Sequence, residues 1–423
     1  MQRDLLKARL AKFPHLPAID PDRQLEQFDG SADEDLEEQE ELDSFPSEPG
    51  AGFKQPRKRR LPPGQDFSPL SAAGYFASAL EVDVPVSSVY QSSSSSAASP
   101  SGSGSSGIAR FRVYYTPPPP PAPSLRADEE DEDEGGTGKG VVFVCVHGAG
   151  YSGLSWACLA KELAEKSEGR AGVLAFDARG HGKTALPPPS AEENDTVDMS
   201  LEAMSADLAA LLKAMYPLRE EAPALVLVGH SMGGAVVADA TNRIQKDVAD
   251  VTGVAVVDVV EGTAIEALPG MAALIAGQPK EFDSQEDAIA WHIQSRTINN
   301  LASARISVPP LVKPKREGAD EQVWRVDLQK TEPYWRGWFT GLSAKFLSCR
   351  AAKLLLLAGT DRLDKELLIG QMQGKYQLEV DPHVGHCVHE DAPERTAETL
   401  LAFLSRNEGT VDLSKIKKVG EAP

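Results

Sequence analysis

The chain of 423 residues carries 43 Lys and Arg against 63 Asp and Glu, a formal net charge of −20, and 41% of its residues are hydrophobic. That balance argues against a nucleic-acid or anionic-membrane surface, each of which needs clustered cations. The length suits one large domain or two ordinary ones, and the apolar residues concentrate after Gly140.

Residues 1–64 are rich in charge and poor in core-forming side chains, and are expected to be disordered. They hold the acidic run "SADEDLEEQEELDS" and the basic run Lys54–Arg60, which is either a solvated linker or a nuclear import signal. The first residues, "MQRDLLKARLAKFPHLP", lack the continuous apolar stretch of a secretory signal. Nowhere does a run of about 18 apolar residues suggest a membrane span. A location in the cytoplasm, the nucleus or both is therefore expected. The four cysteines, Cys145, Cys158, Cys349 and Cys387, form no CxxC pair, so no metal site is expected.

Residues 65–139 read as an N-terminal extension. Its first part, "QDFSPLSAAGYFASALEVDV", has the aromatic and apolar residues needed to pack onto a domain, and "IARFRVYYTP" alternates like an edge strand. Between and after these lie the Ser-rich tract "SSSSSAASPSGSGSSG", a proline run and the acidic "ADEEDEDEGG", which read as low-complexity inserts.

From Gly140 the pattern becomes regular. The runs "VVFVCVHG", "AGVLAFDARGHG", "ALVLVGHS" and "VTGVAVVDVVEG" read as buried strands, with helices over "SWACLAKELAEKS", around Leu201–Met215 and from Met232. The runs "AKLLLLAGTDRLD" and "YQLEVDPHVGH" add two strands, and "PERTAETLLAFLSR" a closing helix. Apolar strand runs alternating with helices imply an α/β fold with a mainly parallel sheet covered on both faces. Residues 140–262 and 348–408 form this core, 263–347 a helical cap too long to be a simple connection, and 409–423 a tail.

One stretch carries chemistry. In "VLVGHSMGGAVVADA", Ser231 sits at a sharp strand-to-helix turn flanked by Gly229, Gly233 and Gly234. This GxSxG pattern between an apolar run and a helix is the nucleophile elbow of α/β-hydrolases, where only small neighbours fit the turn. A serine nucleophile needs a base and donors for the developing oxyanion. In that fold the base follows the last strand, and His386 in "DPHVGHCVHED" has a glycine before it and a helix after it. His383 and His389, in the same segment, are expected to be satisfied by local hydrogen bonds. The backbone N–H groups of Met232, after the nucleophile, and of Ala149, in the small-residue turn "HGAGYSG", are the candidate oxyanion hole. Two positions compete for the acid: Asp361, with Asp364 beside it, in "GTDRLD" after the penultimate strand, and Asp258 at the end of the preceding one. Spacing favours Asp361.

Taken together, "HGAGYSGLSW", "GHSMGGAVVADA", "VVDVVEGTAIEAL", "EPYWRGWFTGLSAKFLSC", "KLLLLAGTDRLDKELLIGQMQGKYQLEV" and "GHCVHEDAPE" resemble the protein phosphatase methylesterase family within the α/β-hydrolase superfamily. The resemblance runs from about Gly140 to Phe403 and includes the upstream "DFSPLSAAGYF". The Ser-rich tract and the acidic insert depart from it. It implies that the acid lies in the "DVVEGTA" segment, hence Asp258, with Ser231 and His386 as nucleophile and base. The implied activity is hydrolysis of the methyl ester on the C-terminal leucine of the protein phosphatase 2A catalytic subunit, by a monomer needing no cofactor. Two other readings differ from it: a non-catalytic partner that holds inactive phosphatase, and a small-molecule esterase of the same fold. The cap's aromatic residues, among them Trp291, Trp324, Tyr334, Trp335, Trp338 and Phe339, either pack it onto the sheet or, with Arg305 and Arg336, grip the phosphatase.

Overall fold

The computed structural model describes residues 64–87, 89–92, 107–119, 140–189, 193–359 and 363–408. The basic run, residues 93–106 of the Ser-rich tract, the acidic insert, Asp361 and the tail 409–423 lie outside the described residues. Eight strands form the main sheet: β1 Ser78–Val86, β2 Gly107–Thr116, β3 Val141–Val146, β4 Ala171–Phe176, β5 Ala224–His230, β6 Val251–Val257, β7 Ala352–Ala358 and β8 Gln377–Asp381. Their order is β1-β2-β4-β3-β5-β6-β7-β8. β2 runs antiparallel to both β1 and β4, and every later pairing is parallel.

The continuous apolar strands are resolved by the pleat into two cores, because successive side chains point to opposite faces. Val142, Val144 and Val146 of β3 join one core with Leu225 and Leu227 of β5, while Phe143 and Cys145 join the other with Val226 and Val228. The first face is covered by α2 (Leu201–Met215) and α3 (Met232–Asp247), the second by α1 (Ala157–Lys166) and α10 (Pro393–Glu408). α2 starts where Ser200 accepts the N–H of Ala203, a side-chain cap on an otherwise unpaired donor.

Two expectations change. "IARFRVYYTP" is β2, an interior strand whose Ala109, Phe111 and Val113 are fully buried, and the edge belongs to β1. β1 has the marks of an edge: an exposed Pro85, which cannot donate to a ladder, and exposed Glu81 and Asp83.

The insertion between β6 and β7 is not helical throughout. It holds α4 (Glu261–Ala276), α5 (Gln285–Gln294), α6 (Leu301–Ser307), α7 (Glu332–Phe339) and α8 (Leu342–Ser348). Residues 281–282, 312–314 and 322–324 add a three-stranded antiparallel sheet. Its core of Phe282, Ile289, Ala304 and Val312 takes in Phe67 from the N-terminal extension, and Arg305 fastens that extension by Nε to the Ser68 carbonyl at 2.6 Å and by Nη2 to Asp66 at 2.8 Å. α7 and α8 do not belong to this layer. They pack on α3, and Trp335, Trp338 and Phe339 are buried in the first sheet core. The last helix before β8 is α9, Lys365–Met372, capped by Asp364, whose Oδ1 accepts the Leu367 N–H at 2.9 Å.

Candidate active site

β5 ends at His230, and Ser231 turns the chain into α3 with φ 52° and ψ −118°. Such a conformation in a non-glycine residue costs on the order of 1–3 kcal/mol and persists only where its surroundings enforce it. Here the glycines enforce it by close approach. A Cβ on Gly229 would lie 2.1 Å from the Gly233 carbonyl oxygen, and one on Gly233 would lie 2.2 Å from that of Val146. The Ser231 N–H donates to the Val257 carbonyl of β6 at 3.0 Å, and the Ser231 carbonyl accepts the N–H of Gly234 at 2.8 Å.

One residue beyond β6, Asp258 is also left-handed, at φ 51°. Its N–H donates to the Leu356 carbonyl at 2.7 Å, its Oδ1 accepts the Ala358 N–H at 2.7 Å, and its Oδ2 faces Nδ1 of His386 at 2.7 Å. Asp258 is nearly buried while the His386 side chain is 47% exposed, so the imidazole reaches solvent from a carboxylate seated in protein. Asp258 and His386 are thus in contact just beyond the C-terminal edge of the sheet, the edge at which β5 hands over to Ser231.

The turn after β3 approaches the same place. A Cβ on Gly148 would stand 3.4 Å from the Ser231 Cβ, so Ala149, which follows it, lies in the turn beside the serine. Met232 opens α3, where N–H groups lack intrahelical partners and carry the positive end of the helix dipole. Behind the turn, His181 donates from Nδ1 to the Arg179 carbonyl at 2.9 Å, which leaves Nε2 to accept the Gly150 N–H at 3.0 Å. Asp177 accepts the N–H groups of Gly153 and Lys183, each at 2.8 Å. Arg179 is held by a buried two-pronged bond to Asp207, at 2.5 and 2.6 Å. The "DARGHG" segment is therefore a scaffold for the turn beside Ser231. Burial keeps His181 neutral by lowering its pKa to about 4.

The histidines around Ser231 fall into distinct roles. His230 is buried, and its Nε2 donates to the His386 carbonyl at 2.9 Å, which bridges the serine turn to the histidine loop. Burial, with His386 and His389 nearby, holds its pKa well below the usual value. Only its position beside Ser231 could have marked it in the sequence. His389 corrects an expectation. Neither of its ring nitrogens has a hydrogen-bond partner; the ring is fully buried and stacks on Trp156 with centroids 3.9 Å apart. His383 is exposed, and its backbone N–H donates to Asp381.

Residues 143–399 match the model of the alpha/beta hydrolase family. The sequence is 41% identical to protein phosphatase methylesterase 1 of Cryptococcus neoformans var. neoformans serotype D, over 95% of this chain and 92% of that one. The chain belongs to the protein phosphatase methylesterase family. The homologue of that name in Schizosaccharomyces pombe is 45% identical over 67% of this chain and 79% of its own. The one in Gibberella zeae is 49% identical over 64% and 68%. Among solved structures, a peroxisomal alpha-beta-hydrolase of Saccharomyces cerevisiae superposes with a TM-score of 0.53 at 14% identity, covering 81% of this chain and 93% of that one. E-2-(acetamidomethylene)succinate hydrolase gives 0.52 at 16%, covering 77% and 100%; both likenesses show the fold alone. As a member of the methylesterase family the chain is a serine hydrolase of the esterase type. No helix among its described residues is long and apolar enough to cross a membrane.

Proposed function

We propose that this esterase hydrolyses the methyl ester on the C-terminal leucine of the protein phosphatase 2A catalytic subunit, with Ser231, His386 and Asp258 as its triad. The observation that carries the triad is the His386–Asp258 contact of 2.7 Å beside a serine held at positive φ. The substrate is supported by the similarity to named methylesterases over nearly the whole chain.

In this mechanism His386 takes the Ser231 proton as Oγ attacks the ester carbonyl. Asp258 holds Nδ1–H and stabilises the imidazolium without itself being protonated. The N–H groups of Met232 and Ala149 receive the oxyanion, a contribution of about 3–4 kcal/mol per donor in comparable sites. Methanol leaves with the proton from His386, and water, activated by the same imidazole, releases the free carboxylate. Every step uses groups of this chain, so no cofactor enters. The test is to follow methanol release from methylated phosphatase and labelling by a fluorophosphonate, with wild type and Ser231→Ala. Turnover by Ser231→Ala near that of wild type would remove the nucleophile from the scheme.

A further inference from the structure

His386 sits in the loop 382–387, between β8 and the one-turn helix Val388–Asp391. The loop's start is anchored by Asp381, which accepts from Arg395 at 2.8 Å and from the His383 N–H at 3.1 Å. Its far end depends on a carboxylate that the triad does not use. Oδ2 of Asp391 accepts the N–H of Gly385, the residue before His386, at 2.7 Å. The same carboxylate accepts two donors from the insertion: the Asn299 N–H at 2.7 Å on Oδ1 and the Asn299 side-chain amide at 2.6 Å on Oδ2. Asp391 thus joins the histidine loop to the turn between α5 and α6.

The fit is tight. A Cβ on Gly385 would stand 3.0 Å from the Asn299 amide nitrogen and 3.1 Å from Asp391 Oδ2. The glycine before His386 is explained by this close approach and not by a left-handed backbone, since its φ is not positive. On the other side, the His386 carbonyl is held by His230 and its ring by Asp258. Without the Gly385 contact, the backbone on the N-terminal side of His386 loses its charge-assisted hydrogen bond, while the ring must still meet both Asp258 and the substrate.

We propose that Asp391 is a positioning residue for the reaction: it fixes the His386 loop and sets that loop's register against the insertion through Asn299. The proposal rests on the reading of His386 as the base. Displacing a reacting group by about 1 Å costs up to roughly a hundredfold in rate, whereas ground-state binding of the ester does not involve this clamp. The experiment measures kcat, KM, fluorophosphonate labelling rate and Tm for Asp391→Ala, Asn299→Ala, the double variant and Gly385→Ala, with His386→Ala alongside. Asp391→Ala should lower kcat and labelling roughly ten- to a hundredfold with KM little changed. Gly385→Ala should share that pattern, and Asn299→Ala should show a smaller loss that vanishes in the Asp391→Ala background, as expected for two members of one contact. A folded Asp391→Ala enzyme with normal kcat, or one that loses only Tm, would overturn the proposal. Should Asp391→Ala not fold, the exposed Asn299→Ala decides, and normal kcat there overturns it equally. An active His386→Ala enzyme would instead overturn the choice of base, which keeps the two failures apart.

Discussion

The Asp258 carboxylate meets Nδ1 of His386 at 2.7 Å across 128 positions of chain, while its other oxygen is fixed by the Ala358 N–H at 2.7 Å. A carboxylate so anchored can orient the ring and stabilise its charged form. Asp258→Asn keeps the shape and removes the charge, and should lower kcat by up to about 10⁴-fold with little effect on KM. Asp361→Asn should be mild. Initial rates on a small ester decide between them, and the reverse ranking would mean that the acid follows β7 after all.

The elbow glycines predict a stability effect as well as a catalytic one. A Cβ on Gly233 would meet the Val146 carbonyl oxygen at 2.2 Å, backbone against backbone, whereas one on Gly234 would first meet the Val259 and Val256 side chains at 2.9 and 3.1 Å and the Gly229 carbonyl oxygen at 3.2 Å. Gly233→Ala should therefore lower Tm and abolish activity, and Gly234→Ala should be the gentler change. Thermal melts of the two variants test this, and equal Tm values would show that the backbone yields more easily than its packing implies.

Much of this was legible in the sequence, and what escaped had a physical reason. Strands such as β3 and β5 are apolar on both faces, so their runs stand out, and the strand-to-helix turn at Ser231 follows from its glycines. β1 was missed because its signal is weak: Val82, Val84 and Val86 alternate, but Pro85 interrupts and the other residues face solvent. The three short strands of the insertion, of two or three residues each, are too brief for any period to register. For the acid, spacing pointed to Asp361, which lies outside the described residues, and the resemblance pointed to Asp258, which is the residue found against His386. Nothing in the sequence marked Glu390 and His389 as fully buried, because burial of a titratable group depends on which elements close over it.

The aromatic residues of the insertion divide between its two layers. Trp338 is 1% exposed and its indole N–H donates to the Met199 carbonyl at 2.7 Å, while Trp335 donates to Thr331 at 2.8 Å. They are core residues and cannot grip a partner. Trp338→Ala should cost about 3–5 kcal/mol of stability, as removal of a buried large aromatic does. Denaturant melts measure it. A loss confined to phosphatase binding, with stability intact, would contradict the burial.

Buried titratable groups set the pH range of stability. Burial lowers the pKa of His147 and His389 to about 3, and of His181 and His292 to about 4, from 6.5. As pH falls below 6.5 the unfolded chain takes protons that these folded sites refuse, so stability is lost toward acid. Glu390 acts in the opposite sense. Burial raises its pKa from 4.5 to about 8, and neither carboxyl oxygen has a hydrogen-bond partner among the described residues. Its contribution is complete below 4.5 and is lost as pH rises through about 8. Tm followed from about pH 4 to about pH 9 should fall at both ends, and Glu390→Gln should flatten the alkaline limb alone. An unchanged alkaline limb in that variant would mean that Glu390 is already ionised in the folded protein.

Selectivity for one protein substrate needs more than the serine pocket. A methylated leucine at a chain end is small and apolar, and a pocket discriminates such features by only about 1–3 kcal/mol per methylene-sized difference. The remaining discrimination has to come from surface beyond the ester. The insertion reaches the site directly: Leu328 lies so close to the turn beside Ser231 that a Cβ on Gly150 would stand 2.9 Å from its Cδ1. Its candidate contacts are fewer than the sequence suggested. Trp335, Trp338 and Phe339 are buried, and Arg305 is engaged with Asp66 and Ser68, which leaves the exposed Arg336 and the half-buried Trp291, Trp324 and Tyr334. Even so, a folded phosphatase can press on this layer where a short peptide cannot. The intact methylated phosphatase should therefore be demethylated with a much higher kcat/KM than a short methyl-ester peptide of the same ending. Equal specificity constants would mean that the pocket reads the ester alone, and that the enzyme acts as a general esterase.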